Sequence, residues 1–436
     1  MEASVRARPS LIPQARPERV ALAYSCVYFF CVLAAYYAAR PVRDQLIAAV
    51  GATQLPWFYG ATFVATLVLT PTFAVVVARW PRRVAVPAVY GFFIACLLAF
   101  VPLFANEGLL SPRALGTVFF VWISVFNLFV VSVFWVVMSD IWTQEQSRRL
   151  FPLIAVAGTA GAVCGPLLTR ELVDVIGVAP LLAVSAALLA VAVWCVIRLG
   201  QWSEREGSRR GSAREGRPVG GGMFEGVKQV FATPFVRNMA LLLLLADGIG
   251  TVNYALVVDY SGSAFANAVD RTRFAANVDL AANLLTVLLQ VLVTRWLLPR
   301  GGPSAMLALW AACVMGALIF VAVSNDPYAP VVAGFPAVAI AVIVGRGFAY
   351  GLAEPARHSL FAQVSRNERY KGQNMVDTAV WRFGDLIIAL GMNGLRGVGV
   401  GVTGFAGLAA VSAAAAGLVG WRAARRAAAR PDPPGR

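Results

Sequence analysis

Residues 115–138 read LGTVFFVWISVFNLFVVSVFWVVM, 24 positions without a single charge. A helix of that length, rising about 1.5 Å per residue, crosses the roughly 30 Å of hydrocarbon in a bilayer. Strands of a membrane barrel would instead alternate apolar and polar residues over about ten positions, and no such alternation dominates here. The stretch therefore predicts a transmembrane α-helix.

The rest of the chain repeats this pattern. Of its 436 residues 59% are apolar and only 14% charged, and the mean hydropathy is +0.71. A water-facing surface cannot be built from that composition, which excludes an ordinary soluble domain. Twelve spans are expected, at 20–39, 56–78, 84–105, 115–138, 150–169 and 179–197, then at 239–258, 274–294, 305–324, 331–351, 374–394 and 397–420. The expected organisation is a tail at 1–19, a six-helix half at 20–198, a linker at 199–222, a second half at 223–420 and a tail at 421–436.

Charge follows this topology. Of the 37 Lys and Arg, 28 fall in the two tails and the even-to-odd connections, seven fall on the other side, and Arg346 and Arg382 lie inside spans. The positive-inside rule then places both termini in the cytoplasm of a multi-pass protein of the cell (inner) membrane. The net charge of +15 is explained by that distribution and needs no nucleic-acid partner. The linker composition at 203–222, nearly all Ser, Arg, Glu and Gly, cannot bury enough apolar surface to fold. After it, Phe224, Val227, Val230 and Phe231 recur at helical spacing, as in a segment lying along the membrane surface.

The two halves look alike at an offset of roughly 220 residues, as in transporters built from a duplicated unit. Arg79-Trp80, followed by Arg82 and Arg83, closes the second span, and Arg295-Trp296, followed by Arg300, closes the eighth. The six cysteines, Cys26, Cys31, Cys96, Cys164, Cys195 and Cys313, all fall within spans, so neither a disulfide nor a metal site is expected. The polar, basic first 19 residues lead straight into a full-length span and do not resemble a cleaved signal peptide. No Walker A sequence, no paired nucleophile and base, and a single histidine, His358, leave no basis for an enzyme or for a bound cofactor.

Charges inside a bilayer are costly enough to be candidate functional residues by default. They are Arg40, Arg43 and Asp44 at the end of span one, Asp247 in span seven, Asp279 in span eight, Arg346 and Glu354 in span ten, and Asp377, Arg382 and Asp385 in span eleven. Each also has a structural reading, as a helix-fastening ion pair or a residue snorkelling to the interface. Arg382 and Asp385, three apart, can neighbour each other on one helix. Asp247 precedes Gly248 and Gly250, where the seventh span can loosen; Gly158, Gly161 and Gly165 in span five, and Gly397, Gly399 and Gly401, read more simply as close-packing positions.

Three passages carry a family resemblance. They are YYAARPVRDQL at 36–46 with LPWFYGATFVATL and ARWPRR after it; VWISVFNLFVVSVFW at 121–135 with SDIWTQEQSRRLFPLIAVAGTAGAVCG; and EPARHSLF at 354–361 with RNERYKGQNMVDTAVWRFGD at 366–385. Together they resemble the bacterial major facilitator branch related to the ATP/ADP translocases, which exchange nucleotides. The resemblance implies the twelve-helix major facilitator fold, in which spans three, six, nine and twelve face lipid. Those four carry no buried charge here. It also implies a basic residue followed by Asp at the end of span one, met by Arg43-Asp44, although the translocases usually have Lys there. Where this chain has His358 and 366–369, those relatives tend to carry Glu.

The expected function is a secondary transporter working by alternating access, with nucleotides the leading example of an anionic substrate. Its substrate-binding or coupling candidates are Arg43, Asp44, Asp247, Asp279, Arg346, Asp377, Arg382 and Asp385. In or beside the spans, four arginines face six acids, so proton-coupled transport of a neutral or cationic solute stands as the alternative. The expected partners are a small-molecule substrate and the lipid bilayer; the oligomeric state is not fixed by the sequence, and a monomer suffices.

Overall fold

The computed structural model describes residues 16–79, 82–106, 109–210, 234–362 and 381–428. They are almost wholly helical, because a backbone in hydrocarbon must satisfy its own N–H and C=O groups within the segment. The first six helices are α1 (Arg16–Val50), α2 (Leu55–Arg79), α3 (Arg82–Ala105), α4 (Pro112–Ile141), α5 (Gln144–Ile176) and α6 (Ala179–Arg210). Then come α7 (Pro234–Ala264) and α8 (Ala268–Leu288), which continues through a π turn at Leu289–Thr294 into α9 (Arg295–Val323). α10 (Ala337–Phe348) runs through a second π turn, Ala349–Ala353, into α11 (Glu354–Ala362), and α12 (Trp381–Gly397) and α13 (Val402–Ala428) complete the chain.

Over the described residues every expected span overlaps a helix. Nine helices there are long and apolar enough to cross a membrane, and one of these, Ala268–Val323, is two helices merged across a kink. The kink is at Gly302, whose φ of 63° lies in the left-handed region that glycine tolerates, between Pro299 and Pro303.

The differences from expectation lie at ends and glycines. α6 runs on to Arg210, into the stretch expected as linker, and the surface segment expected at 224–231 lies outside the described residues. The tenth span begins at Ala337 rather than 331, because residues 330–336 form a hairpin of β1 (Pro330–Val332) and β2 (Phe335–Pro336) turned by Ala333 and Gly334, both at positive φ. α7 is a continuous helix through Gly248 and Gly250 and does not loosen beside Asp247. Gly248 instead admits Ile388, whose Cδ1 would lie 2.7 Å from an added Cβ. Gly397, Gly399 and Gly401 have open space around them and make the turn before α13, with Gly399 at φ 90°, rather than packing inside a span.

The described residues form two compact units. One takes in 16–42, 68–79, 82–106, 109–110 and 122–210; the other takes in 43–67, 111–121, 234–362 and 381–428. In the first, α1 and α5 pack through the glycines singled out in the sequence. A Cβ at Gly158 would lie 2.2 Å from the Phe29 ring, at Gly161 2.2 Å from the Phe30 carbonyl oxygen and at Gly165 2.7 Å from the Ala34 carbonyl oxygen. Backbones that close are the signature of small-residue packing between membrane helices. Buried hydroxyls add to the contact: Thr169 donates to the Ala38 carbonyl at 2.9 Å and Ser185 to that of Ala35 at 2.7 Å. Thr143 caps α5 in a reciprocal capping box with Gln146.

In the second unit, α7 to α13 share one apolar core around Trp310, Leu318, Val321 and Phe361. The last turns of α1 and the start of α2 join it. Gly262 on α7 would place a Cβ 2.5 Å from the Ala48 carbonyl oxygen, Asn393 on α12 donates to the Thr53 carbonyl at 2.7 Å, and Asp259 takes both the Ala52 N–H and the Arg396 guanidinium. Tyr328, in the connection before β1, stands by this pair; burial pushes its phenol up to about 12, with Asp259 adding to the rise and Arg396 opposing it.

The glycine contacts are directly testable. Gly161→Ala sets a methyl against a backbone carbonyl that cannot turn aside, at a cost of about 1–3 kcal/mol. Its unfolding temperature, measured on purified protein in detergent, is expected to fall by several degrees. Gly250→Ala, with nothing within 4 Å of the new methyl, should match the parent. An unchanged unfolding temperature for Gly161→Ala would refute the packing account.

Candidate functional site

A narrow cleft opens within the second unit between α1, α7, α8 and α10. Its polar lining is Asp44, Tyr254, Ser261, Asp279 and Arg346, and its walls are aliphatic apart from Phe274. A few convergent polar groups in an otherwise apolar cleft are the usual make-up of a small-molecule site.

On α1, Arg43 directs Nε and Nη2 at Oδ1 of its own neighbour Asp44, at 2.8 and 2.6 Å, and the Tyr254 hydroxyl donates to the same oxygen at 2.7 Å. The guanidinium also lies over two rings, 5.1 Å from the Phe120 centroid and 5.8 Å from that of Tyr254. Cation–π contact and a two-donor approach fix the plane as well as the charge, which a lysine in the same place could not do. Across the cleft, Arg346 of α10 forms an ion pair with Asp279 of α8, whose side chain is 1% exposed.

A second group of carboxylates sits where α7 meets α12. Asp385 accepts a hydrogen bond from the Thr251 hydroxyl at 2.7 Å, and both side chains are buried. Asp247 lies against α12 at Gly384, where an added Cβ would come within 3.1 Å of its Oδ2. Tyr59 of α2, buried, links the two groups, since Asp385, Tyr254, Arg43 and Asp247 all lie within its electrostatic reach.

Six of the eight candidate residues are thus placed by their described side chains: Asp44, Asp279 and Arg346 line the cleft, Arg43 is bonded to Asp44, and Asp247 and Asp385 sit where α7 meets α12. Arg382 is the second residue of α12, and its side chain is not among those described. Asp377 lies outside the described residues. Arg40 belongs to the other unit, with its guanidinium 5.8 Å from the Tyr37 ring. Glu354 holds Arg357 and, at 3.1 Å, the exposed His358 within α11.

Sequence reasoning missed Tyr59, Thr251, Tyr254 and Ser261. Three of these had a signal: Asp247, Thr251, Tyr254 and Ser261 follow steps of four, three and seven along α7, one polar stripe on one helical face. Tyr59 had none, being one aromatic among many in an apolar span.

No protein-family model matches the chain, and no curated protein matches it. Solved structures do. The nucleoside transporter NupG superposes with a TM-score of 0.64 at 14% identity, over 96% of this chain and 100% of its own. A bacterial homolog of the human lysosomal transporter Spinster, inward-facing and unoccupied, gives 0.60 at 14% identity over 97% and 100%. A POT family transporter in complex with 5-aminolevulinic acid gives 0.63 at 11% identity over 96% and 99%. At such identities the likeness is one of fold, and the chain has the all-α major facilitator fold.

Proposed function

We propose that this protein is a secondary transporter of the cell membrane, not an enzyme, which moves a small polar solute by alternating access and couples that movement to protons. The observation that carries the reading is that the cleft arginine Arg346 is already held by Asp279, and that the cleft carboxylate Asp44 is already held by Arg43, with Asp247 and Asp385 close by. Such an arrangement suits exchange of a proton against an ion pair. Protonating Asp279 cancels the charge that holds Arg346, and the freed guanidinium can then take a polar group of the solute. Losing the proton restores the pair and expels the solute. The fold shared with transporters supports the coarse reading.

Exchange of nucleotides or related anions is the second reading. It is supported by the passages RPVRDQL and RYKGQNMVDTAVWRFGD and by the guanidinium of Arg346 in the cleft wall with that of Arg43 bonded to Asp44 behind it, each able to offer a fork to phosphate oxygens. On that reading a phosphate displaces Asp44 and Asp279 from their arginines, and Arg382 adds a third cation.

Reconstituted vesicles separate the two. With proton coupling, an imposed pH gradient drives accumulation of the solute, and Asp279→Asn loses gradient-driven uptake at least tenfold while keeping solute-for-solute exchange. Loss of both alike would count against the coupling role. With nucleotide exchange, vesicles preloaded with unlabelled nucleotide take up labelled ATP or ADP faster than empty ones, and Arg43→Ala and Arg382→Ala abolish it. Since removing one member of a buried pair costs about 3–5 kcal/mol, folded yield has to be measured beside transport. Twelve spans with both termini cytoplasmic further predict that reporters fused at the C-terminus and after Leu109 report opposite sides of the membrane. Reporters on one side would refute that topology.

A further inference from the structure

The Arg-Trp pair that closes the eighth span is not absorbed by the transport site. Arg300 stacks 4.9 Å over the Trp296 ring, and its Nη1 reaches the Trp296 carbonyl at 3.3 Å. At the far end of α13 the same arrangement recurs, with Arg425 4.3 Å over the Trp421 ring. Both indoles are exposed, Trp296 by 56% and Trp421 by 38%.

The packing brings these two pairs to the same end of the helices. A Cβ at Gly417 would lie 2.6 Å from the Ala311 Cβ, and one at Gly420 would lie 3.4 Å from that of Leu307. Numbers rising on α13 meet numbers falling on α9, so the helices are antiparallel, and Trp421 to Arg425 lie level with the Gly302 kink that Arg300 precedes. Arg295 and Arg422 share that end. None of the four arginines has a carboxylate partner among the described residues. The sequence keeps acids away as well, with no Asp or Glu from 280 to 325 or from 386 to 431. Toward the middle of the same two helices the outward side chains turn apolar, with Leu309, Val411 and Leu418 exposed.

We propose that the joined ends of α9 and α13 form a binding site for the headgroup of an anionic phospholipid. The four guanidinium groups face its phosphodiester, the two indoles lie at the boundary between headgroup and acyl chain, and the exposed aliphatic side chains below receive the chains. Each ingredient has a physical reason. Indoles settle at the membrane interface. Arginine forks match phosphate oxygens, and stacking on an indole holds the fork in plane. A basic pocket between membrane helices, without acids, concentrates anionic lipid. The feature is local to these two helices and does not depend on the transported solute.

The test uses the purified full chain in dodecylmaltoside micelles doped with phosphatidylglycerol or phosphatidylcholine, with bound lipid counted by native mass spectrometry and unfolding temperature read in parallel. Phosphatidylglycerol should be retained and should raise the unfolding temperature, while phosphatidylcholine should do neither. Binding should weaken about fivefold for each guanidinium removed, hence roughly 25-fold in Arg300→Gln/Arg425→Gln. Arg83→Gln, which removes an exposed arginine paired with Glu204 in the other unit, should leave binding unchanged. Equal retention of phosphatidylcholine, full binding by the double variant, or equal loss in Arg83→Gln would overturn the proposal. So would the same stabilisation by inorganic phosphate, which would mark a free-anion site. If the double variant does not fold, raising salt from about 0.1 to 1 M on the parent protein must release phosphatidylglycerol; retention through that range would overturn the proposal as well.

Discussion

A charge held among apolar helices has to bring its counter-charge with it, and the second unit is organised by that requirement. Oδ1 of Asp44 is where the demand is most concentrated, because it accepts from two nitrogens of Arg43 and from the Tyr254 hydroxyl. That convergence fastens the last turns of α1 to α7. Asp279 with Arg346 does the same between α8 and α10, and Asp259 with Arg396 between α7 and α12. Each contact joins elements far apart in sequence, so the ion pairs act as cross-links as well as candidate transport groups. Buried pairs of this kind contribute little net stability, but removing one partner is expensive, and geometry is thereby fixed without much gain in free energy.

The first unit meets the same solvent by another route, and its interior relies on close approach. Gly158, Gly161 and Gly165 let α5 lie against the backbone of α1, and hydroxyls of Thr169 and Ser185 find carbonyls on α1. A buried Tyr28–Tyr90 pair at 2.6 Å, passed on to the Val130 carbonyl, joins α1 to α3 and α4 by hydroxyls alone. Dispersion and short hydrogen-bonded contacts do here what electrostatics does in the other unit.

What the sequence made legible was whatever depends on length and local pattern. Spans follow from uninterrupted apolar runs such as 115–138, and the close packing of α5 follows from glycines spaced to share one face. The pairing of charges was not legible. Nothing local tells Asp279 that its partner is Arg346, 67 positions on, or that Arg43 would turn to the residue beside it. The sequence set Arg382 three positions from Asp385 but gave no sign that Thr251, on another helix, supplies a hydrogen bond to Asp385. Hydropathy also missed the hairpin at 330–336, since Val331, Val332 and Phe335 are as apolar as a membrane helix while Pro330, Gly334 and Pro336 stop one from forming. Tyr59 was invisible for a similar reason: an aromatic ring scores as lipid-loving, and its hydroxyl counts for nothing until its neighbours are known.

The two π turns, Leu289–Thr294 and Ala349–Ala353, lie against each other, with the Thr294 hydroxyl on the Gly351 carbonyl and Gln290 Nε2 3.3 Å from that of Tyr350. A π turn widens the helix and weakens its hydrogen-bond ladder over one cycle. Bending stiffness therefore drops at the same level in two neighbouring rods, while Gly351, set directly on Leu289, keeps them in contact. Arg346 lies three positions before one of these turns and Asp279 ten before the other, so a bend at that level would act on the separation between the two charges with no helix having to unwind.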